Sequence, residues 1–231
     1  STDVTGVPGW RLEVGTATIG VTGTRSYAAS NSPTTYPLPP TTYPGLHRQA
    51  VLLRQPLEGV EPRHRVHHAY FPTAETLRLM AKHKIPAVVS NPFLVNLGES
   101  FVVSLGEERA RKAMPMRTYL DAGVPLAGSS DSSVSDYNPW VGMYGAVTRT
   151  TVAGRVLGAE ERISPREALR LYTIGGAYAT GLERIKGSIG PGKHADLVVL
   201  PRDPLSVRAE ELRATKPVAT MLGGRWVHDA R

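Results

Sequence analysis

The chain has 231 residues and a mass of 24.9 kDa, enough for one domain with an appendage or for two small domains. Apolar residues make up 41%, so a sizeable core needs no covalent help, and the lack of cysteine excludes disulfides, thiolate metal sites and a cysteine nucleophile. The net charge is +7, but Glu58, Glu61 and Glu75 lie among the basic residues and aromatics are only 6%, so this reads as a basic solvated surface, not a nucleic-acid footprint.

No apolar run exceeds four residues, as in Ala50–Leu53 and Leu197–Leu200. A membrane helix needs about 20 and a signal-peptide core about 7–15. Neither is expected, and the expected location is the cytoplasm.

Residues 15–45 are rich in Thr and Pro, with a TTYP repeat at Thr34–Pro37 and Thr41–Pro44 and no acid between Glu13 and Glu58. Such a stretch buries too little apolar surface to offset its ordering entropy, which predicts loose, extended chain. Over residues 15–57 an insertion and a compensated frameshift both account for the break in pattern.

From Pro62 the punctuation becomes regular. Arg65–Ala69 reads as a short strand, and Thr73 caps a helix whose apolar face is Leu77, Met80 and Ala81. Ile85–Ser90 is a β-branched, buried strand. Glu107–Ala113 and Met116–Ala122 read as helices, the second ended by Gly123, and Val124–Gly128 is again a strand. This alternation predicts parallel βα units. Ser164-Pro165-Arg166-Glu167 is a capping box opening a helix through Leu169, Leu171 and Tyr172 that Gly181 ends. Short strands follow at His194–Leu200, Val218–Leu222 and Arg225–His228, the last two joined by Gly223-Gly224. The boundary between the βα part and the β part falls near residues 184–187.

Five of the seven histidines lie between His47 and His83. His67-His68 closes the first βα strand, and alternation lets only one of the two face a barrel interior. Asp131 follows the strand Val124–Gly128. A histidine and an aspartate at two strand ends are able to share a metal, since active sites of βα barrels sit at the carboxyl ends of their strands. Two other motifs fail on context. Gly187–Lys193 has phosphate-loop spacing, but His194 replaces the magnesium-binding hydroxyl and a strand follows instead of a helix. Gly128-Ser129-Ser130-Asp131 lacks the second glycine of a nucleophile elbow.

Several blocks together carry a resemblance: residues 63–71 (RHRVHHAYF), 85–93 (IPAVVSNPF), 120–134 (LDAGVPLAGSSDSSV), 146–151 (AVTRTT), 164–183, 186–204 and 219–228. Residues 62–231 resemble, in order, the carboxyl-terminal half of a metal-dependent amidohydrolase of the family 3 type, the branch that includes N-substituted formamide deformylase-like proteins. The resemblance implies an α/β fold: the last strands and helices of a (β/α)8 TIM-type barrel, then part of a small β-sandwich. It implies one or two divalent ions, of the zinc class, that activate water to hydrolyse a carbon–nitrogen bond of a small amide-like substrate. By motif position, His68 resembles a metal ligand at the end of the sixth strand. Asp131 resembles the aspartate after the eighth, which binds metal and shuttles the proton as the catalytic residue.

The departures are specific. His67 stands where these proteins often have Glu, and Ser133 where many have Pro. No His-x-His occurs, and Gly15 follows Val14 where the fifth-strand histidine is expected. The expected organisation is therefore an irregular segment 1–61 with a remnant of strand five, barrel residues 62–185 and sandwich residues 186–231. The expected function is amidohydrolysis by a protein of which this is a carboxyl-terminal half. The alternative is a non-catalytic pseudoenzyme or binding module of the same ancestry. Expected partners are the small substrate and a second copy or a complementing amino-terminal half, with no nucleic acid and no membrane.

Overall fold

The computed structural model describes residues 64–230 in full, together with the backbone of residues 10–15 and 18–23. The chain divides into two units, residues 1–54 and 55–231. In the first, β1 (Trp10–Gly15) pairs antiparallel with β2 (Thr18–Gly23), Trp10 opposite Gly23. The resemblance places a remnant of barrel strand five here, whereas β1 is one arm of an antiparallel pair, and β2 falls inside the stretch expected to be loose. Four β-branched residues, Thr18, Ile19, Val21 and Thr22, suit an extended backbone, so the threonines that marked the stretch as loose favour a strand here. The expectations for residues 24–57 lie outside the described residues.

The second unit is mixed α/β. Its first half runs β3 (Val66–His67), α1 (Ala74–Lys82), β4 (Ala87–Val89), α2 (Pro92–Asn96), α3 (Gly98–Leu105), α4 (Glu107–Arg111), α5 (Met116–Asp121) and β5 (Leu126–Gly128). Strands β3, β4 and β5 form a parallel sheet in that order. Its register sets His67 beside Val88 and Val88 beside Ala127. Parallel pairing follows from the helices between the strands, which return the chain to the same sheet end each time. Thr73 caps α1, its hydroxyl accepting from the Thr76 amide at 3.1 Å, and Met80 carries the buried face. Strand β4 is buried along its whole length. Full burial of an aliphatic side chain such as Val89 contributes about 1.5–3 kcal/mol.

Helix α6 (Pro139–Thr148) has no counterpart in the sequence reading. Its start signal is local: the Asn138 side chain accepts from the Trp140 amide at 3.0 Å, and Pro139 occupies the first turn. Its two internal glycines, Gly142 and Gly145, read as breakers but serve close packing. A Cβ at Gly142 or at Gly128 would run into the Tyr172 side chain.

The predicted capping box opens α7 (Pro165–Arg170). The Ser164 hydroxyl accepts from the Glu167 amide at 3.3 Å, and the Glu167 carboxylate accepts from the Ser164 amide at 2.8 Å. The Arg117 guanidinium, 2.6 Å from that carboxylate, and these caps hold the Glu167 pKa at about 2. A wider turn over Leu171–Gly175 carries Tyr172 and leads into α8 (Gly176–Ala179), whose Ala179 packs with Val88 and Ala127.

After α8 the structure is antiparallel. Strands β6 (Leu197–Val199), β7 (Ala219–Leu222) and β8 (Arg225–Asp229) form one sheet, with α9 (Ala209–Arg213) between the first two. Gly223 and Gly224 have φ of +56° and +80°, the left-handed geometry a two-residue hairpin turn demands. The Gly187–Lys193 segment is a turn tied by the Lys193 ammonium, which donates to the Glu183 carbonyl and the Ser188 hydroxyl at 2.6 Å each. Among the described residues, no helix is long and apolar enough to cross a membrane.

Candidate metal centre

The parallel register brings the carboxyl ends of β3, β4 and β5 to one edge of the sheet. His67 is the last residue of β3 and shares a face with Val88 and Ala127. His68 already lies beyond the strand, at φ +65°, and Ala69 follows at φ +43°. Alternation therefore does not aim His68; a left-handed turn of two non-glycine residues does. Asp131, three residues past β5, is left-handed as well, at φ +51°. Each such residue costs roughly 1–2 kcal/mol, and strained positions of this kind gather at functional sites. Around Asp131 the loop is braced by the Ser129 hydroxyl, which accepts from the Asp131 amide at 3.3 Å, and by the Ser135 hydroxyl, which donates to the Ser130 carbonyl.

These two turns bring the predicted residues together. His68 Nε2 stands 3.8 Å from Asp131 Oδ2. That is too long for a hydrogen bond. It matches the spacing of about 3–4 Å between two donors that each sit roughly 2.0–2.2 Å from one ion. The two side chains are 34% and 37% exposed, so a ligand has access. His68 Nδ1 is buried and has no hydrogen-bond partner among the described residues. An imidazole and a carboxylate facing one gap are the donor types a zinc-class ion takes, so these residues fit such an ion as two of its ligands.

Two aromatic side chains stack on the imidazole. Tyr70 stacks on His68 at 5.7 Å with the rings 9° apart, and Phe93 lies 6.0 Å away at 28°. Burial, and then the Asp131 charge, pushes the Tyr70 phenol up to about 12. Neither aromatic was singled out from the sequence, although each lies within two residues of a strand-end polar residue, His68 and Asn91. His67 has a different fate. Arg65 Nε–H donates to His67 Nε2 at 2.8 Å. Burial, then the neighbouring Arg65 and His68 charges, holds the His67 imidazole below its ordinary range, against a weaker pull from Asp131. Its Nε2 is thus engaged away from the pair. Among the described residues, no group of three or more His, Asp or Glu side chains comes together for a metal.

A hollow of about 260 Å³ opens near the other end of β5, against Val124, Leu126, Leu171, Ile174 and Tyr178. It contains neither residue of the pair.

The family model for the amidohydrolase family matches residues 48–228. Among curated proteins, the N-substituted formamide deformylase of Arthrobacter pascens is 37% identical over 161 residues, covering 69% of this chain and 30% of that protein. Among solved structures, an uncharacterized metal-dependent hydrolase from Pyrococcus furiosus is 31% identical with a TM-score of 0.57, covering 70% of this chain and 33% of that one. An adenosine deaminase from Xanthomonas campestris with bound zinc, 22% identical with a TM-score of 0.54, has a similar fold over 72% of this chain and 37% of its own. The chain therefore spans about a third of the length of the relatives it matches.

Proposed function

We propose, from the premise that this chain belongs to the amidohydrolase family, that it supplies part of the site of an enzyme hydrolysing carbon–nitrogen, non-peptide bonds. Membership makes it a chain of a metal-dependent hydrolase superfamily. In this reading residues 62–185 are the carboxyl-terminal part of a (β/α)8 barrel, and β3, β4 and β5 are its last strands. Residues 186–231 are then part of a composite β-sandwich, and residues 1–61 carry a remnant of strand five. The outer strands β3 and β5 each leave one ladder edge for a further strand among the described residues, which suits a complementing segment or a second copy.

One observation carries the reading: the approach of His68 Nε2 to Asp131 Oδ2 at 3.8 Å, across two parallel strand ends. His68 and Asp131 would hold the ion, with zinc the choice for this donor pair. The chemistry a zinc-class ion supplies when bound is the acidification of water, to a pKa of about 7. Asp131 takes the proton of the attacking water and returns it to the leaving nitrogen, as base and then acid. Tyr70 and Phe93 fix the His68 ring plane, so the imidazole meets its ligand without a rotamer search. The substrate class follows the name of the deformylase relative: an N-substituted formamide.

A second reading, binding without hydrolysis, is favoured by the absence of a third metal donor among the described residues. A catalytic zinc ordinarily has three protein ligands and a water. Incubating the zinc-loaded protein with an N-substituted formamide separates the two. Hydrolysis predicts formate and amine released one to one. Zinc bound with formate released only at the uncatalysed rate would overturn hydrolysis by this chain alone and leave the binding reading.

A further inference from the structure

We infer that Tyr119 is a positioning residue for His68, because its buried hydroxyl locks the left-handed turn that aims the imidazole at Asp131. The purpose of that turn rests on the metal reading above; its mechanics rest on geometry alone. His68 and Ala69 are consecutive non-glycine residues at positive φ. Such a pair relaxes to ordinary extended or helical backbone unless its surroundings over-determine it. Three hydrogen bonds do so here. The Ala69 amide donates to the His67 carbonyl at 2.8 Å, and the Met114 amide donates to the Tyr70 carbonyl at 2.9 Å. The third is the one side-chain bond: the Tyr119 hydroxyl donates to the Ala69 carbonyl at 3.1 Å.

Tyr119 is suited to this task. It is 1% exposed, on α5, and Ala69 is itself buried. Burial raises the Tyr119 phenol well above its ordinary pKa, so the hydroxyl keeps its proton and remains a donor at any working pH. Without it, the Ala69 carbonyl would be left unpaired where water has little access. The consequence falls on the next ring along, since Tyr70 follows Ala69 and stacks on His68.

Tyr119→Phe keeps the ring and removes only the donor. Amide hydrogen exchange and zinc titration of this variant test the inference. The Ala69 and Met114 amides are expected to exchange about tenfold faster, the equivalent of one buried hydrogen bond, with Ala87 and Ser129 unchanged. Zinc affinity is expected to fall about fivefold to tenfold. Equal acceleration at all four amides would mean a purely global loss of stability and would overturn the inference. So would unchanged exchange at Ala69 and Met114. Local acceleration with unchanged zinc affinity, while His68→Ala abolishes zinc binding, would also overturn it. If zinc binding ignores His68→Ala, the metal reading itself fails, and the exchange data alone decide whether Tyr119 holds the turn.

Discussion

Replacing Arg149 with methionine is expected to lower the unfolding free energy by about 3–5 kcal/mol, since several buried carbonyls lose their donor at about 1–3 kcal/mol each. Arg149 is 0% exposed and closes α6 in the left-handed conformation, at φ +56°. Its guanidinium donates to four carbonyls: Leu157, Met114 at 2.9 Å, Ala113 at 2.8 Å and Arg111 at 3.2 Å. Burial pushes its pKa down to about 10, offset in part by the Glu161 and Glu160 charges, so it stays protonated at neutral pH. Methionine fills similar volume but leaves those carbonyls without a donor. Lysine keeps the charge but offers a compact ammonium where the planar fork reaches four acceptors, so Arg149→Lys is expected to recover little. Urea unfolding at pH 7 reads the effect as a lower midpoint with an unchanged slope. A loss below about 1 kcal/mol would mean the carbonyls find other partners.

Under the proposed hydrolysis, Asp131→Asn is expected to cut turnover by about 10²–10⁴-fold, the usual contribution of a positioned general base and acid. Asparagine preserves the size of the side chain and an oxygen toward His68, but it accepts no proton at neutral pH. The turn around it rests on backbone and serine contacts, Ser129 to the Asp131 amide and Ser135 to the Ser130 carbonyl. Those contacts do not use the Asp131 carboxylate, so the melting temperature is expected to hold while kcat collapses. Turnover equal to that of the unsubstituted protein would remove Asp131 from the reaction.

Much of the fold was legible because its signals are local. The Thr73 cap, the Ser164–Glu167 box and the Gly223-Gly224 hairpin each depend on residues a few positions apart, and each forms as read. The parallel order β3-β4-β5 followed from strand and helix alternation. Helix α6 escaped because its glycines look like breakers, and only the three-dimensional approach of Tyr172 explains Gly142. The approach of His68 to Asp131 was anticipated, but for an incomplete reason. Strand alternation governs His67, whereas His68 is turned by a left-handed backbone that no residue type announces, since neither His68 nor Ala69 is glycine. Tyr70 and Phe93, which stack on His68, and Tyr119, which bonds the Ala69 carbonyl, were not singled out because such contacts depend on tertiary approach, not on spacing.

Zinc titration of the protein and of two variants, His68→Ala and Asp131→Ala, tests the central claim most directly. With two donors for a four-coordinate ion, binding is expected at one site per chain, weak enough to be stripped by dialysis against a chelator, and lost in both variants. Zinc bound with the same affinity by the unsubstituted protein and by both variants would contradict the assignment of His68 and Asp131 as a metal pair.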